Sequence, residues 1–482
     1  MNTPLPSTND VSSLFTPAFS VVPSKTVAQN AFRLDAESYS PEVLAAQKAL
    51  RGKKFRTVIL SKVAKVFGFG PFKRTYISRS EYGLPLLSSS EIVEIQPSPN
   101  ILAKSDCPKW QQYMIRKGWI VISCSGTIGN VAIIPRKWDT WALSQHAIRI
   151  IPNEGYTGFL YSFLRLPWVT QQILGMKSGS VIDEIYPDDL NRLEIPLVDE
   201  ECLKLLEDAI TKVMLLREEG DELIKEAESL VYKANGLPKL NEEDVACLDP
   251  DGQIESVSVS SKEVFRANHS GSEFRLDAHF YNPLSRLSIE NIKNCKGEVK
   301  TVGDVTQRVF MCNRFKRNYV EEKHGAPFLS GKNIIQIRPT DLNYISVSET
   351  KDLEELRLQQ NWTLITRSGT LGRTCFIFKN YENWASTEHI IRVVPNEDLI
   401  DPGYVYAFLS SQYGFLQVVR YRHGSVIDEV TDRQIKKVLI PLPSSEEQKQ
   451  IGDLVRVAYE KRAEAIRLED EAQQILINAL SS

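Results

Sequence analysis

The sequence predicts an α+β protein with two similar mixed α/β domains and two long helices that pack on one another. Three observations carry this prediction. Motifs recur along the chain at an offset that stays between 242 and 245 positions. Each repeat is rich in short β-branched segments bounded by Gly, Pro or Asn. Each repeat then closes on a long amphipathic stretch. The chain is one module of about 240 residues written twice.

The recurring pieces fix the order of elements. Each repeat opens on a leading segment. Phe32-Arg33-Leu34-Asp35-Ala36 with Tyr39-Ser40-Pro41 returns as Phe274-Arg275-Leu276-Asp277-Ala278 with Tyr281-Asn282-Pro283. Strands are expected at Thr57–Leu60, Trp119–Ser123, Val131–Ile134 and Ala147–Ile151, with counterparts at Trp362–Thr366, Thr374–Phe378 and Ile390–Val394. Gly83–Ser88 pairs with Gly325–Ser330 as a turn into a strand. A short amphipathic helix is expected over Gly158–Leu166 and again over Tyr404–Ser411. Gly-Ser-Val-Ile-Asp-Glu then appears as Gly179–Glu184 and as Gly424–Glu429. A capped helical turn follows at Pro187–Leu190 or Thr431-Asp432, leading into the strands Arg192–Leu197 and Val438–Pro443.

The two long helices come last in each repeat. Residues 200–233 put Leu206, Ile210, Val213, Ile224, Ala227 and Val231 on one stripe. Residues 445–480 do the same with Ile451, Val455, Ala458, Ala465, Leu468, Ala472, Ile475 and Ala479. The spacing alternates three and four, the period of a coiled-coil seam, and Arg217 and Gly220 interrupt the first stripe. A helix of that length spans about 50 Å at roughly 1.5 Å per residue, more than one small globule can cover. Each long helix therefore calls for the other. Residues 234–258, with Gly236, Pro238, Pro250 and Gly252, read as a linker.

Composition narrows the function. No apolar run approaches the roughly 18 residues of a membrane span, and the Ser-, Thr- and Pro-rich start lacks the pattern of a signal peptide. The seven scattered cysteines form no C-x-x-C pair, as in a cytoplasmic protein with reduced thiols. A net charge of −3 argues against an indiscriminate polyanion binder. The distribution is more informative. Residues 51–80 hold nine basic residues and no acidic one, and residues 199–228 hold eleven acidic against four basic. The basic run has a counterpart around Arg308, Arg314, Lys316 and Arg317, so solvation alone does not account for it.

Catalytic readings fare poorly. Val66-Phe67-Gly68-Phe69-Gly70 faintly resembles the glycine turn of an S-adenosylmethionine site, but Val309-Phe310-Met311-Cys312-Asn313 loses both glycines. No Asn-Pro-Pro-aromatic or Asp-Pro-Pro-aromatic motif, no phosphate-binding G-x-x-x-x-G-K-[ST] and no metal-ligand spacing is present. His146 and His389 occupy matched positions and could be paired with Ser125 and Ser368. Those serines stand before Gly-Thr, outside a Gly-x-Ser-x-Gly elbow. The histidines read first as hydrogen-bonded within the sheet and second as nucleic-acid contacts. Asp183-Glu184 and Asp428-Glu429 read as turn residues or subunit contacts before acid/base groups.

Recognition fits better. Phe72-Lys73-Arg74-Thr75-Tyr76 recurs as Phe315-Lys316-Arg317-Asn318-Tyr319, and cations interleaved with aromatics suit phosphate contact and base or sugar packing. Ser125-Gly126-Thr127-Ile128-Gly129 recurs as Ser368-Gly369-Thr370-Leu371-Gly372. It reads as a hairpin turn, or as a turn that approaches a phosphate and donates a hydroxyl. The candidate DNA-binding residues are therefore Lys73, Arg74, Tyr76, Ser125 and Thr127, with Lys316, Arg317, Tyr319, Ser368 and Thr370. Two unequal readers in one chain have the logic of a dimeric DNA-binding protein whose two-fold is built in.

At this point the residues resemble a family. Ile440-Pro441-Leu442-Pro443-Ser444-Ser445-Glu446-Glu447-Gln448-Lys449-Gln450-Ile451 is similar to the strand exit, Leu-Pro and Glu-Gln of type I restriction-modification specificity (S) subunits. Gly325-x-Pro327-Phe328-Leu329-Ser330-x-x-Asn333-Ile334, Ser368–Gly372 and Arg-Leu-Asp-Ala before Tyr-x-Pro resemble other segments of the same family. The likeness covers essentially the whole length. The first repeat departs at Val198-Asp199-Glu200-Glu201, which lacks Pro-Leu-Pro and Glu-Gln.

The resemblance implies two target-recognition domains separated by two long helices packed as an antiparallel coiled coil. The expected layout is a loose terminus (1–18), a first recognition domain (19–198), a long helix (199–235), a linker (236–258), a second recognition domain (259–443) and a second long helix (444–482). It implies a non-catalytic, cytoplasmic chain that binds a bipartite double-stranded DNA target. Partners would be two methyltransferase (modification) subunits and a restriction subunit, with no membrane. No cofactor or metal is expected in this chain, and S-adenosylmethionine belongs to the partner methyltransferase. Three other readings stand beside it. They are a specificity subunit of another methylation-based defence system, a methyltransferase or nuclease with its specificity region attached, and a duplicated protein-interaction scaffold.

Overall fold

The computed structural model describes residues 21–29, 39–40, 43–44, 56–77, 80–178, 183–240 and 277–480. Expectations for the terminus at 1–18, for Phe32–Ala36, for Gly179–Ile182 and for most of the linker lie outside the described residues. So do Arg51, Lys53, Lys54 and Arg79 of the basic run. The described chain divides into two compact units. The first takes residues up to Ile92, Ser98–Ile210 and those from Asp470 onward; the second takes Val93–Pro97 and Thr211–Glu469.

In the first unit, helix α1 (Ser24–Gln29) precedes strands β1 (Thr57–Ile59), β2 (Ala64–Phe67), β3 (Tyr76–Ile77), β4 (Gly83–Leu87), β5 (Asn100–Ala103), β6 (Ile120–Ser123), β7 (Val131–Ile133), β8 (Ala142–Leu143) and β9 (Ala147–Pro152). Helices α2 (Thr157–Leu164), α3 (Pro167–Leu174) and α4 (Pro187–Asn191) follow, then β10 (Glu194–Pro196) and the long helix α5 (Glu200–Asn235), which continues into the second unit. The strands form an antiparallel sheet β2-β9-β6-β7, a sheet β3-β5-β4-β8 in which β8 joins β4 in parallel, and the pair β1-β10.

The second unit repeats this plan. It holds α6 (Pro283–Lys293), β11 (Glu298–Thr301), β12 (Thr306–Phe310), β13 (Tyr319–Val320), β14 (Gly325–Leu329), β15 (Asn343–Ser346) and α7 (Leu353–Leu356). Then come β16 (Thr363–Thr366), β17 (Thr374–Phe376), β18 (Ala385–Ser386), β19 (Ile390–Pro395), α8 (Pro402–Ser410), α9 (Gln412–Arg420), α10 (Asp432–Ile435), β20 (Leu439–Leu442) and α11 (Ser445–Ala479), whose residues from Asp470 onward belong to the first unit. Its sheets, β12-β19-β16-β17, β13-β15-β14-β18 and β11-β20, match the first unit strand for strand. The sequence reading missed α3, α6 and α9. Pro167 begins α3 at its first turn, and Asn282 caps α6 by accepting from the Ser285 backbone.

The cores follow the strand periodicity. Ile120, Val121, Ile122, Ile148 and Ile150 are buried in the first unit, as are Leu364, Ile365, Ile390, Ile391 and Val393 in the second. Each unit holds its long helix through glycine. A Cβ on Gly158 would lie 2.2 Å from the Leu206 carbonyl oxygen, and one on Gly403 would lie 2.7 Å from Gly452 Cα. Only glycine permits such backbone approach.

Within the second unit α5 and α11 run antiparallel. Arg217 meets Glu469 at 2.8 Å, Asp221 meets Arg462 at 3.0 Å, and Glu219 meets Lys461 at 2.6 Å. The two features that interrupted the predicted stripe belong to this contact. Arg217 pairs with the fully buried Glu469, and Gly220 lets the Ala458 carbonyl come within 3.1 Å of where a Cβ would stand. The expected stripe of the last helix needs correction. Leu468, Ile475 and Ala479 are only half-buried, and the buried seam runs Ala465, Glu469, Ala472, Leu476. The reason is the ion pair: the helix turns a carboxylate inward to meet Arg217.

Candidate nucleic-acid interface

The Ser-Gly-Thr turns join β6 to β7 and β16 to β17. The hydroxyl ending the preceding strand organises each. Ser123 Oγ donates to the Thr127 carbonyl and accepts from Asn130 N at 2.9 Å; Thr366 Oγ1 donates to the Thr370 carbonyl and accepts from Arg373 N at 2.9 Å. Gly126, Gly129, Gly369 and Gly372 have φ of +73°, +92°, +73° and +82°, which explains why both glycines recur. The hairpin reading is thus correct, and the turn also presents Thr127 and Thr370 to solvent. A Cβ on Gly126 or Gly369 would meet nothing within 4 Å, so a ligand could approach the backbone closely there.

The recurring motifs meet behind the turn. Ser125 bridges Glu184, and Ser368 bridges Glu429, so the Ser-Gly-Thr turn and the end of Gly-Ser-Val-Ile-Asp-Glu are adjacent in both units. Ser125 Oγ lies 2.5 Å from His146 Nδ1, and Ser368 Oγ lies 3.2 Å from His389 Nδ1. The third partner differs. Gln145 Nε2 stands 3.0 Å from His146 Nε2, whereas Glu388 Oε1 stands 3.6 Å from His389 Nε2.

The basic loops are placed differently in the two units. In the first, Lys73 is exposed with Asp106 at 3.9 Å, Arg74 lies over the Phe72 ring at 5.2 Å, and Phe72 stacks on Tyr113 at 4.0 Å. In the second, Arg317 Nη2 donates to both Glu388 oxygens at 2.8 Å and to Thr387 Oγ1 at 3.1 Å, while Lys316 is exposed. Arg317, Glu388, His389 and Ser368 therefore form one connected cluster. Burial pushes the Glu388 carboxyl upward, but hydrogen bonds from Arg317, its own backbone and Thr387 hold it below the ordinary range. Tyr76 and Tyr319 stand exposed on β3 and β13.

The sequence places Gln145 and Glu388 beside the matched histidines but assigns them no role, although their mismatch is a signal. Arg149 and Arg392 stand at matched positions of the two repeats. Both are fully buried; Arg149 donates to the Ala147 carbonyl at 3.0 Å, and Arg392 to the Ile390 carbonyl at 3.1 Å and to Ser386 Oγ at 2.6 Å. Burial pulls the Arg149 guanidinium down to about 10. These arginines, on the interior strands β9 and β19, tie each to β8 or β18 through the Leu143 and Ser386 carbonyls. Among the described residues no group of three His, Cys, Asp or Glu side chains could hold a metal ion, and no helix is long and apolar enough to cross a membrane.

The family described as type I restriction modification DNA specificity domain matches residues 66–223 and 296–467, one match per repeat and most of the chain. The chain belongs to this family. Solved structures are similar to it at low identity. The S subunit of the type I restriction-modification system from M. genitalium is 12% identical, over 89% of this chain and 95% of that one, with a TM-score of 0.31. The HsdS subunit from Thermoanaerobacter tengcongensis is 18% identical over 88% and 96%, with a TM-score of 0.27. A chain from a structure concerned with complex assembly and conformational transition of the type I R-M system is 18% identical over 88% and 97%, with a TM-score of 0.26. No curated protein matches the chain.

Proposed function

We propose that this specificity-family chain is the non-catalytic, cytoplasmic DNA-recognition subunit of a type I restriction-modification complex. Each unit reads one half of a bipartite double-stranded target, and the chain directs two methyltransferase subunits and a restriction subunit to it. S-adenosylmethionine is then the partner's cofactor. The observation that carries this reading is the double family match, one per repeat, on a fold that repeats strand for strand. The differing basic loops and the Gln145/Glu388 mismatch support it, because two readers of different half-sites must differ where they touch bases. Lys73, Arg74, Tyr76, Ser125 and Thr127 are assigned to one half-site and Lys316, Arg317, Tyr319, Ser368 and Thr370 to the other.

Methylation mapping tests the proposal. Genomic DNA from cells expressing this chain with its methyltransferase should carry methyl groups at a motif of two short specified blocks and an unspecified spacer. The motif should vanish when this chain alone is deleted. Unchanged methylation without the chain, or a single contiguous motif, would refute the reading.

A further inference from the structure

Gly-Ser-Val-Ile-Asp-Glu is kept without change in both repeats, and the second unit explains only part of it. Gly424 has φ +137°, and a Cβ there would stand 2.0 Å from the Ile427 carbonyl oxygen. Asp428 pairs with Arg422 at 3.8 Å. Glu429 exchanges backbone hydrogen bonds with His423 at 2.9 and 2.7 Å, and Arg367 Nη2 donates to its carboxylate at 2.5 Å. These residues close the loop and pin it. Lys177–Asp183 at 3.6 Å and the Ser178–Glu184 bridge repeat the same closure in the first unit.

Val426 and Ile427 are left over. They are 93% and 58% exposed at the loop tip, so no core demands them. A lone exposed apolar residue needs no explanation. An adjacent aliphatic pair kept identically in two otherwise divergent repeats does, and the contact it makes must be the same in both halves.

The tip is joined to the proposed DNA face. Val430 N donates to the Arg367 carbonyl at 3.1 Å, next to Ser368 and the exposed Thr370, and Arg422 and His423 flank the loop. Aliphatic side chains cannot read the hydrogen-bonding pattern of base edges. What two different half-sites share is stacked base steps and sugar edges, and aliphatic wedges enter duplexes there, from the minor groove. We infer that Val426 and Ile427 form a sequence-independent apolar wedge that inserts at a base step of the second half-site. The inference rests on the DNA-recognition reading above.

The test uses the full chain with its methyltransferase on a duplex bearing the mapped target, with 2-aminopurine placed at successive steps. The wild-type complex should unstack one step in the second half-site. Val426→Ser with Ile427→Ser should remove that signal and weaken binding by about tenfold or more. Val426→Leu with Ile427→Leu should keep both, and gel filtration should show the methyltransferase still bound to every variant. Equal affinity and signal in the serine variant would overturn the wedge. So would loss of the methyltransferase from it, which would make the tip a protein contact. Failure of the wild-type complex to bind DNA would instead overturn the proposed function.

Discussion

Replacing Arg217 with Met should destabilise the protein by about 3 kcal/mol, near the lower end of the range for breaking a buried ion pair. Glu469 is fully buried, and Arg217 is its close partner at 2.8 Å. Without that guanidinium the carboxylate still has Arg338, whose Nη1 is 3.7 Å away. The remaining cation offsets part of the loss, so the lower end applies. A change of that size lowers Tm by roughly 6–12 °C, at about 2–4 °C per kcal/mol for a body of this size. Thermal and urea melts of the purified chain measure it. The ion pair itself is not the source of stability, since desolvation of two charges offsets most of their attraction. Arg217→Met combined with Glu469→Leu should therefore recover wild-type stability or exceed it. A single variant that melts with the wild type, or a double variant no better than the single, would refute this account of the seam.

Three further outcomes are expected. Lys73→Glu with Arg74→Glu should leave the melting temperature unchanged and weaken DNA binding. If both side chains contact phosphate, the slope of log affinity against log salt should fall by about two; an unchanged slope removes them from the interface. Glu388→Gln should show a pH-dependent deficit. The folded carboxyl is held below its ordinary value, so the Arg317–Glu388 contribution is complete above about pH 4.3 and is lost as pH falls through the depressed value. Melts from neutral pH downward should thus show wild type and variant converging at low pH, and a constant gap would deny the pair that role. Gly403→Ala places a Cβ 2.7 Å from Gly452 Cα and should cost about 1–3 kcal/mol in urea unfolding.

The duplicated plan was legible because a repeat is a comparison carried inside one sequence. Strands showed as β-branched runs between breakers, and the long helices showed as stripes. The buried charges were not legible. Arg217 looked like a fault in one stripe and Glu469 fell beside the other, because hydrophobic periodicity counts a charged residue as exposed. Only pairing across the two helices turns both inward. Arg462 stands 245 positions after Arg217, the offset of the two helix starts, and it also finds a carboxylate across the seam, Asp221 at 3.0 Å. The same blindness hid Arg149 and Arg392, whose partners are mostly backbone carbonyls that no side-chain pattern reveals.

At the proposed recognition face identity and difference divide the labour. The residues shared by both repeats, Ser-Gly-Thr, the histidine behind it and Asp-Glu of the hexapeptide, build the turn and pin it to its neighbours. The positions that differ decide what the turn presents. Glu388 holds Arg317 against the serine–histidine pair, while Gln145 carries no charge to offer Arg74, which instead lies over Phe72. One carboxylate-for-amide exchange thus leaves the framework intact and changes whether a cation is fixed beside the turn or carried on an aromatic ring. A duplicated reader can diverge in this way without refolding, since the exchange alters the reach of one side chain and leaves every strand of the sheet where it was.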